Sequence, residues 1–521
     1  MAITNKLDNF RMEVNQAFLD KAEGLAPKLI ETQVRPVGTV EIVPRGGDFA
    51  AVEAGRGFAQ SAPLGRGERI CLDFGDHQVG YVSFTLTPAG SPPDAPAYLR
   101  LRFGEIPYEI AADLSDYHGE VSRAWIQEEF LHVDVLPARI RLPRRYAFRY
   151  LEITVLDTSP KYKAAVGDVV CTAVTSGDRA AVPPLRTADP ELIALDRVSL
   201  KTMEDCMQSV FEDGPKRDRR LWLGDLRLQA QTNYVTFRNN DLVKRCLYLF
   251  AGLTQNEGRV GACLFLEPRP QVDDTALFDY ALFFVSCLHD YYMATGDRET
   301  LAELFPTAER QLELALRELD GRGIVADREG WWCFLDWGEG LNKQAGAHAV
   351  LIYALKQAKV LAERLGEGGD AAAFDAAAGR ASRAALEHLW DDRQGFFVSG
   401  AGRQVSWASQ VWFVLAGVFG REDNVRLLER LVAQNPGVPM VTPYLYHYFI
   451  EALMENGLTE QAAAAMKGYW GEMLREGADT FWELFDPKDR YASPYGSRAV
   501  NSFCHAWSST PSYFIRTYLD R

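Results

Sequence analysis

Residues 182–192 read Val-Pro-Pro-Leu-Arg-Thr-Ala-Asp-Pro-Glu-Leu, and the periodicity of the chain changes across them. The two consecutive prolines mark a turn between structural units. Asp189 suits the N-cap of a helix, and Pro190 suits the first helical position, where a missing N–H is not needed. One domain therefore ends near residue 182, and an α-helical domain begins at residue 189.

Apolar and polar residues alternate before this boundary, in residues 81–87, 98–103 and 149–157. A period of two is typical of antiparallel strands that have one face toward solvent. We expect a jelly-roll-like antiparallel β-sandwich over residues 31–182, preceded by a helical segment over residues 1–30.

Apolar residues recur at helical spacing after the boundary. One such face contains Ala308, Leu312 and Leu319, and another contains Leu428 and Val432. At roughly 25–28 residues per helix and loop, residues 189–521 accommodate about twelve helices. Twelve helices in one all-α domain predict an (α/α)6 toroid, in which six hairpins surround a pocket. No fixed-period repeat favours a solenoid.

The composition excludes several classes of protein. The 521 residues have a net charge of −15, whereas nucleic-acid binding needs clustered Lys and Arg. No apolar stretch is long enough to span a membrane, and the N-terminus lacks the apolar core of a signal peptide, so we expect a cytoplasmic protein. The eight scattered cysteines predict reduced thiols. Of the eleven tryptophans, only Trp125 precedes residue 200.

No motif indicates a cofactor or a metal ion. The eight histidines show no His-Glu-x-x-His spacing, and the chain has no glycine-rich nucleotide-binding loop. A Gly-x-Ser-x-Gly nucleophile motif is also missing. We therefore expect chemistry that uses side chains alone.

The densest group of ionisable residues is Glu-Asp-Gly-Pro-Lys-Arg-Asp-Arg-Arg-Leu-Trp-Leu-Gly-Asp at 212–225. Gly214 and Pro215 predict a loop that leads into a helix. Most charged runs are solvated clusters of ion pairs, but apolar segments flank this one. Burial would separate the pKa values of its carboxyl groups, which is how a carboxylic acid stays protonated and acts as a general acid near neutral pH.

This segment resembles the signature of glycoside hydrolase family 78, the α-L-rhamnosidases, whose usual form is Asp-Cys-Pro-x-Arg-Asp-Glu-Arg-Leu-Gly-Trp-Thr-Gly-Asp. Further segments are similar to family motifs in the expected order: Phe-Leu-Asp-Trp-Gly at 334–338, Thr-Phe-Trp-Glu at 480–483 and Ser-Phe-Cys-His-Ala-Trp at 502–507. The resemblance implies inverting exo-hydrolysis of terminal non-reducing α-L-rhamnose from a rhamnoside or rhamno-oligosaccharide. The short chain resembles compact bacterial members, which implies a homodimer.

The resemblance also implies roles for individual residues. Many members place the general acid at the Glu of Arg-Asp-Glu-Arg, a position that is Arg219 here, so Asp218 becomes the expected acid. Glu483 becomes the general base that activates water. Asp213 and Asp225 stay open as alternative acids. The expected sugar-binding residues are Asp213, Arg217, Trp222, Asp225, Asp336, Trp337, Trp482 and His505.

Other functions are compatible with the same residues. One is another enzyme on the same toroid, such as a different exo-glycosidase, a phosphorylase or a lyase. Another is a carbohydrate-binding protein without catalysis, which Arg219 at the acid position suggests. Asp273 and Asp274 are weaker candidates for the pocket mouth, and Tyr280 is expected to pack between helices. No motif identifies the leaving group.

Overall fold

The computed structural model describes residues 9–328 and 332–520. It begins with the short strand β1 (Glu13–Val14) and helix α1 (Gln16–Gly24). Asn15 caps α1 by accepting a hydrogen bond from the Phe18 amide. The helix predicted in residues 1–30 is therefore present but short, and residues 1–8 of that segment lie outside the described residues.

An antiparallel β-domain follows, with one short helix, α2 (Pro107–Ala111). Its strands are β2 (Ile30–Val34), β3 (Gly38–Arg45), β4 (Asp48–Arg56), β5 (Arg69–Gly90), β6 (Ala97–Gly104), β7 (Glu128–Val133), β8 (Ala138–Arg141), β9 (Tyr146–Asp157) and β10 (Tyr162–Thr175). Their hydrogen-bonded order is β2-β10-β5-β9-β6-β7, while β3 pairs with β4 and β5, and β8 pairs with β5.

The three alternating segments of the sequence fall in β5, β6 and β9, so the prediction of antiparallel strands is confirmed. Phe84, Leu101 and Ile153 represent their inward faces and are fully buried in one apolar core. The long strand β5 pairs with β9 on both sides of a register shift between Asp73 and Gln78. Strand β5 also pairs with β3, β8 and β10, so it is the strand that joins most of the β-domain.

The second domain is predominantly helical. Its helices are α3 (Pro190–Cys206), α4 (Leu223–Val235), α5 (Asn240–Gly252), α6 (Phe278–Thr295), α7 (Arg298–Leu316), α8 (Gln344–Leu365), α9 (Gly368–His388), α10 (Trp407–Leu415), α11 (Arg421–Gln434), α12 (Pro443–Glu455), α13 (Thr459–Arg475) and α14 (Pro511–Phe514). Short strands lie in its loops: β11 (Leu221–Trp222), β12 (Leu253–Gln255), β13 (Arg259–Val260), β14 (Cys263–Phe265), β15 (Gln271–Val272), β16 (Trp390–Asp391), β17 (Phe396–Ser399) and β18 (Gln404–Val405).

The predicted start of the first helix after the boundary is confirmed. The Asp189 carboxylate accepts hydrogen bonds from the amides of Glu191 at 2.9 Å and Leu192 at 3.2 Å, and Pro190 is the first residue of α3. The proline therefore lacks only an N–H that the helix does not use.

The helices pack in two groups. Helices α4, α6, α8, α10 and α12 contact one another in succession, and the C-terminal residues 506–514 contact both α12 and α4. Helices α5, α7, α9, α11 and α13 each pack against a member of this series. These helices are amphipathic: on α11, Leu428 and Leu431 are buried, whereas Val432, predicted on the same apolar face, is 52% exposed. The apolar stripe of α11 is thus narrower than the sequence indicated.

A buried group of charged residues joins the two domains. The Lys216 ammonium, from the loop before β11, lies 2.9 Å from Glu105 and 2.6 Å from Glu109 of the β-domain. His77 of β5 contacts Asp205 of α3 at 2.7 Å and Glu105 at 3.2 Å. We call these five residues the interdomain ion cluster. Burial disfavours the charge on Lys216, but Glu105 and Glu109 outweigh this effect and raise its pKa.

The hydrophobicity of the helices and the state of the cysteines were both predicted from the sequence. None of the described helices combines the length and hydrophobicity needed to cross a bilayer. All eight cysteines are buried free thiols.

We expect Lys216→Met to lower the free energy of unfolding by about 3–5 kcal/mol, because two buried carboxylates would lose their counter-ion. Urea titration followed by fluorescence measures the change. Lys359→Met, which removes an exposed pair with Asp375, is the matched control and should unfold like the wild type. Equal stability of the two variants would show that the interdomain ion cluster does not hold the domains together.

Candidate active site

A cavity of about 360 Å³ lies between the helical domain and a loop of the β-domain. Eight of the ten expected site residues line it: Asp213, Arg217, Asp218, Trp222, Asp225, Trp337, Glu483 and His505. They come from all four sequence motifs, which are far apart in the chain. The helical packing therefore brings the motifs together at one place.

The loop of residues 213–220 is organised by Asp213. Its carboxylate accepts hydrogen bonds from the amides of Asp218 at 3.0 Å and Arg220 at 3.1 Å. Burial, and then the charge of Asp218, raise the pKa of Asp213 to about 8. A protonated carboxyl at neutral pH thus lies directly beside Asp218.

Arg217 contacts both expected catalytic carboxylates. Its Nη2 lies 2.5 Å from Oε2 of Glu483, and its Nη1 lies 3.4 Å from Oδ1 of Asp218. The guanidinium packs 4.0 Å from the centre of the Tyr495 ring, and its Nε donates to the Val500 carbonyl at 2.7 Å. The nearest carboxylate oxygens are consequently no more than about 8 Å apart, which is two contact distances plus the width of one guanidinium.

Glu483 is held by the last motif of the chain and by a loop. The Tyr495 hydroxyl donates to its Oε1, and the Ser502 amide donates to its Oε2 at 3.2 Å. Its backbone N–H donates to the Ser502 carbonyl at 3.0 Å, and its carbonyl accepts from the Trp507 indole at 3.0 Å. The carboxylate therefore has a fixed direction in the cavity wall.

Three polar atoms in the buried part of the wall have no hydrogen-bond partner among the described residues. They belong to Asp225 (Oδ1), His505 (Nδ1) and Trp337 (Nε1). The Asp225 and His505 atoms are 3.6 Å apart. These atoms are therefore available for hydrogen bonds to a polar ligand or to water.

Burial also sets the protonation of this part of the wall. Desolvation, and then the charges of Asp213 and Glu483, raise the pKa of Asp225 well above its ordinary value. Desolvation, and then Arg217, lower the pKa of His505 to about 3. A protonated Asp225 and a neutral His505 both offer one donor and at least one acceptor, as sugar hydroxyls do.

Aromatic rings form the apolar part of the wall. Phe334 and Trp507 are stacked with centroids 5.7 Å apart, and Trp337 meets Phe334 edge-to-face at 5.3 Å. Tyr280, expected to pack between helices, is buried and also lines the cavity next to Trp222. The wall thus combines flat apolar surfaces with the unpaired polar atoms.

Two expected sugar-binding residues lie outside the cavity wall. The Asp336 carboxylate is occupied by the Val441 amide at 2.8 Å and by the Thr442 amide and hydroxyl at 3.0 and 2.6 Å, so it fixes the start of α12. Trp482 packs edge-on against Phe485 and Phe503. Both therefore support the structure around the cavity. Asp336 also lines a smaller neighbouring cavity that shares Phe334 and Trp337 with the first, and a sugar contact by either residue stays a prediction.

Arg219 also points away from the cavity. Its guanidinium donates to the carbonyls of Pro215 and Arg145, both at 2.9 Å. Burial, and then the neighbouring Arg145, lower the pKa of Arg219 to about 10. The residue at the family's glutamate position thus contacts the β-domain.

Several lining residues had no signal in the sequence motifs. Tyr495 lines the cavity, as do residues 120–122 and Trp125 of the β-domain. Asp273, a weaker candidate, lines it as well and accepts from the Thr275 hydroxyl at 2.7 Å. The sequence distinguished Trp125 in one respect: the other ten tryptophans all lie beyond residue 200.

One group of side chains has the composition of a metal site. Ligand atoms of His77, Asp205 and Cys504 lie within 4.8 Å of one another. Both His77 nitrogens already contact carboxylates, and Lys201 lies 2.6 Å from Asp205. Because ammonium groups neutralise these carboxylates, we assign no metal ion here.

Comparison with known proteins agrees with the geometry. Residues 181–519 match the model of the bacterial alpha-L-rhamnosidase 6 hairpin glycosidase domain. Residues 52–173 match the glycosyl hydrolase family 78 alpha-rhamnosidase N-terminal domain. The chain belongs to glycoside hydrolase family 78. The glycoside hydrolase predicted from the sequence is thereby confirmed at the level of the family.

Solved and curated relatives extend the comparison. A Klebsiella oxytoca rhamnosidase, solved with rhamnose bound, is 49% identical, with a TM-score of 0.95 over 97% of this chain and 99% of that one. A Bacillus sp. GL1 family 78 rhamnosidase shares the fold, with a TM-score of 0.71, 22% identity, and coverage of 92% of this chain and 47% of that one. A Streptomyces avermitilis alpha-L-rhamnosidase is 24% identical over 69% of this chain, and the match spans 34% of the Streptomyces protein.

The low pKa of His505 predicts a pH effect on stability. Between pH 6.5 and about 3 the unfolded chain holds a proton on this ring that the folded chain lacks, so stability falls as the pH falls. A plot of the free energy of unfolding against pH should be less steep in this range for His505→Asn or His505→Gln than for the wild type. The difference between the two slopes should be about 1.4 kcal/mol per pH unit.

Urea unfolding between pH 4.5 and 6, followed by tryptophan fluorescence, measures this slope. His447, whose pKa is also lowered, and His348, with its pKa lowered to about 4, remain in both variants, so part of the acid sensitivity persists. A slope equal to that of the wild type in both variants would mean that His505 is not a buried neutral imidazole.

Proposed function

We propose that the protein is an inverting exo-glycosidase that hydrolyses terminal non-reducing α-L-rhamnosides, with Asp218 as general acid and Glu483 as general base. The observation that carries the proposal is the contact of one guanidinium, that of Arg217, with both carboxylates in the wall of a partly buried cavity. Such a contact fixes the separation and the orientation of the two groups on which inversion depends.

The separation of the two carboxylates allows a direct displacement. Inverting glycosidases hold their carboxyl groups about 6.5–9.5 Å apart, which leaves room for the attacking water. The upper limit of about 8 Å set by Arg217 is compatible with that range and also with the spacing of about 5–5.5 Å in retaining enzymes, so the choice of inversion rests on the family resemblance. Glu483, with its oxygens aligned by Tyr495 and Ser502, would take a proton from the water as it attacks the anomeric carbon.

The exposure of Asp218 supports its role as the acid, whereas the raised pKa values of Asp213 and Asp225 keep these two carboxyls as alternative acids. Its side chain is 20% exposed, whereas those of Asp213 and Asp225 are nearly inaccessible, so Asp218 reaches the leaving-group oxygen most easily. Its backbone amide is anchored on Asp213, which holds the residue in place. The buried Asp213 and Asp225 would instead position the loop and contact sugar hydroxyls.

The cavity has the chemistry that a 6-deoxy sugar requires. The rings of Phe334, Trp337 and Trp507 offer an apolar wall for the C5 methyl group. The unpaired atoms of Asp225 and His505 offer hydrogen bonds to hydroxyls. The rhamnose bound to the Klebsiella oxytoca rhamnosidase is consistent with this substrate class.

We extend the proposal to the architecture. The closed succession of contacts among α4, α6, α8, α10, α12 and residues 506–514 supports an (α/α)6 toroid, with a β-sandwich built on β5 before it. Domain limits at residues 31–182 and 189–521, a homodimer and a cytoplasmic location remain predictions.

The alternative of a carbohydrate-binding protein without catalysis loses its main argument. It was suggested by Arg219 at the position of the family glutamate, but that guanidinium binds carbonyls outside the cavity. Asp218 and Glu483 both line the cavity, so a pair of carboxyl groups suited to acid and base roles is present.

We expect the wild type to release rhamnose from an aryl α-L-rhamnoside, and Asp218→Asn and Glu483→Gln each to lower kcat at least about a hundredfold, because each removes a proton-transfer group. Free rhamnose should still bind both variants in calorimetry. Asp486→Asn changes a carboxylate near Glu483 in the chain but outside the cavity wall, and should keep wild-type activity. If Asp218→Asn keeps the wild-type kcat, Asp218 is not the general acid, and Asp213 or Asp225 takes its place in the proposal.

The stereochemistry is a separate prediction. Proton NMR of the first sugar released by the wild type should show the β-anomer of rhamnose, because water attacks opposite the leaving group. A first-formed α-anomer would require a covalent intermediate and would exclude the single displacement.

A further inference from the structure

The β-domain supplies one wall of the cavity. Glu120, Val121, Ser122 and Trp125 line it, and they belong to the loop of residues 113–127 that connects α2 to β7. All other residues that line the cavity come from positions 213–507 of the helical domain. This loop is therefore where the first domain contributes directly to the site.

The 113–127 loop is anchored on both sides of its tip. Before the tip, Ala112 and Leu114 are buried against Ala499, with Ile126 from the far side of the loop packed on the same cluster. After the tip, the Gln127 side chain exchanges hydrogen bonds with the backbone of Ala147, at 2.6 and 2.9 Å. The base of the loop is thus fixed to both domains.

The tip itself is joined to the catalytic residues. The Glu120 amide donates to the Tyr495 carbonyl at 2.8 Å. Tyr495 donates its hydroxyl to Glu483 and packs its ring on Arg217. The loop therefore sits at a defined distance from the groups that act on the glycosidic bond.

The exposure of the wall separates an inner and an outer part of the cavity. Asp225 and His505, which carry the unpaired polar atoms, are almost fully buried. Ser122 and its neighbours Arg123 and Ala124 are exposed, and Trp125 is partly buried. An exo-acting enzyme places the terminal sugar in the closed part of its pocket, so the leaving group extends toward the open part.

We propose that Trp125 forms the leaving-group subsite and stacks on a ring, either an aromatic ring or a second sugar, attached to the rhamnose. This inference rests on the proposed function. A tryptophan offers a large flat apolar face at little loss of conformational freedom, and such a face suits both kinds of ring. The selected substrates are then rhamnosides with a ring in the leaving group.

The test compares three substrates that share the rhamnose and differ in the leaving group: 4-nitrophenyl α-L-rhamnoside, rhamnosyl-(1→6)-glucose and methyl α-L-rhamnoside. In Trp125→Ala, kcat/KM should fall roughly three- to tenfold for the substrate whose leaving-group ring stacks on Trp125, mainly because KM rises. It should stay at the wild-type value for the methyl glycoside. The first two substrates distinguish an aromatic ring from a sugar.

Inhibition by free rhamnose separates stacking from a structural effect. Rhamnose occupies only the inner part, so its inhibition constant should be unchanged in Trp125→Ala. Arg123→Ala, an exposed position of the same loop outside the cavity wall, is the matched control and should match the wild type on all substrates. Trp125→Phe keeps a ring and should recover most of the lost kcat/KM, which also provides a test if Trp125→Ala folds poorly.

Equal losses on all three substrates, or a parallel rise in the inhibition constant of rhamnose, would overturn the proposal. Unchanged kinetics on both ring substrates would do the same. If the wild type releases rhamnose from none of them, the proposed function fails. In that case calorimetry tests Trp125 alone: the dissociation constants of the two ring-bearing rhamnosides and of rhamnose are measured for the wild type and for Trp125→Ala. If Trp125 stacks on the ring, Trp125→Ala should weaken binding of the ring-bearing rhamnosides and leave the binding of rhamnose unchanged.

Discussion

One buried guanidinium is the constraint on which the rest of the structure depends. Arg217 contacts Asp218 with one terminal nitrogen and Glu483 with the other, although these carboxylates come from opposite ends of the helical domain. A buried charge of this kind is stable only if it is paired and hydrogen-bonded. The packing of the helical domain, which brings residues 480–507 beside residues 213–225, supplies both conditions. The placement of Asp218 and Glu483 and the burial of Arg217 thus depend on each other.

The adjacent residue links the same loop to the other domain. Lys216 inserts between Glu105 and Glu109 of the β-domain, one position before Arg217. Neighbouring cations of one loop therefore bind carboxylates of two domains, which fixes the loop from both sides. Glu105 also accepts from the Phe503 amide at 2.8 Å, close to Ser502 and His505. The β-domain consequently acts as a structural support for the active site as well as one of its walls.

Local signals in the sequence were sufficient for much of the fold and for most of the site. The alternation in residues 81–87 predicts part of β5, and Asp189 with Pro190 predicts the start of α3, because both depend only on neighbouring residues. The motif matches identified eight residues that line the cavity. The motifs also include Asp336 and Trp482, which lie outside the wall of this cavity, because a motif position does not distinguish a side chain in a cavity wall from one that holds the neighbouring backbone. The hydrogen bonds of Asp336 to Val441 and Thr442 join segments more than 100 residues apart.

By itself, the sequence determined the order of a β-domain and a helical domain, the family and the carboxylates available for catalysis. The domain order follows from the local periodicity of the chain, and the family and its carboxylates follow from the resemblance of four short motifs. Neither requires knowledge of distant contacts. Only the tertiary structure decided which of those carboxylates share a guanidinium, which polar atoms remain unpaired in the cavity, and that Arg219 faces away from it. It also placed Trp125 of the first domain in the wall of a site built by the second. Burial, pairing and pKa values depend on residues that are remote in the chain, so they exist only once the two domains have packed together.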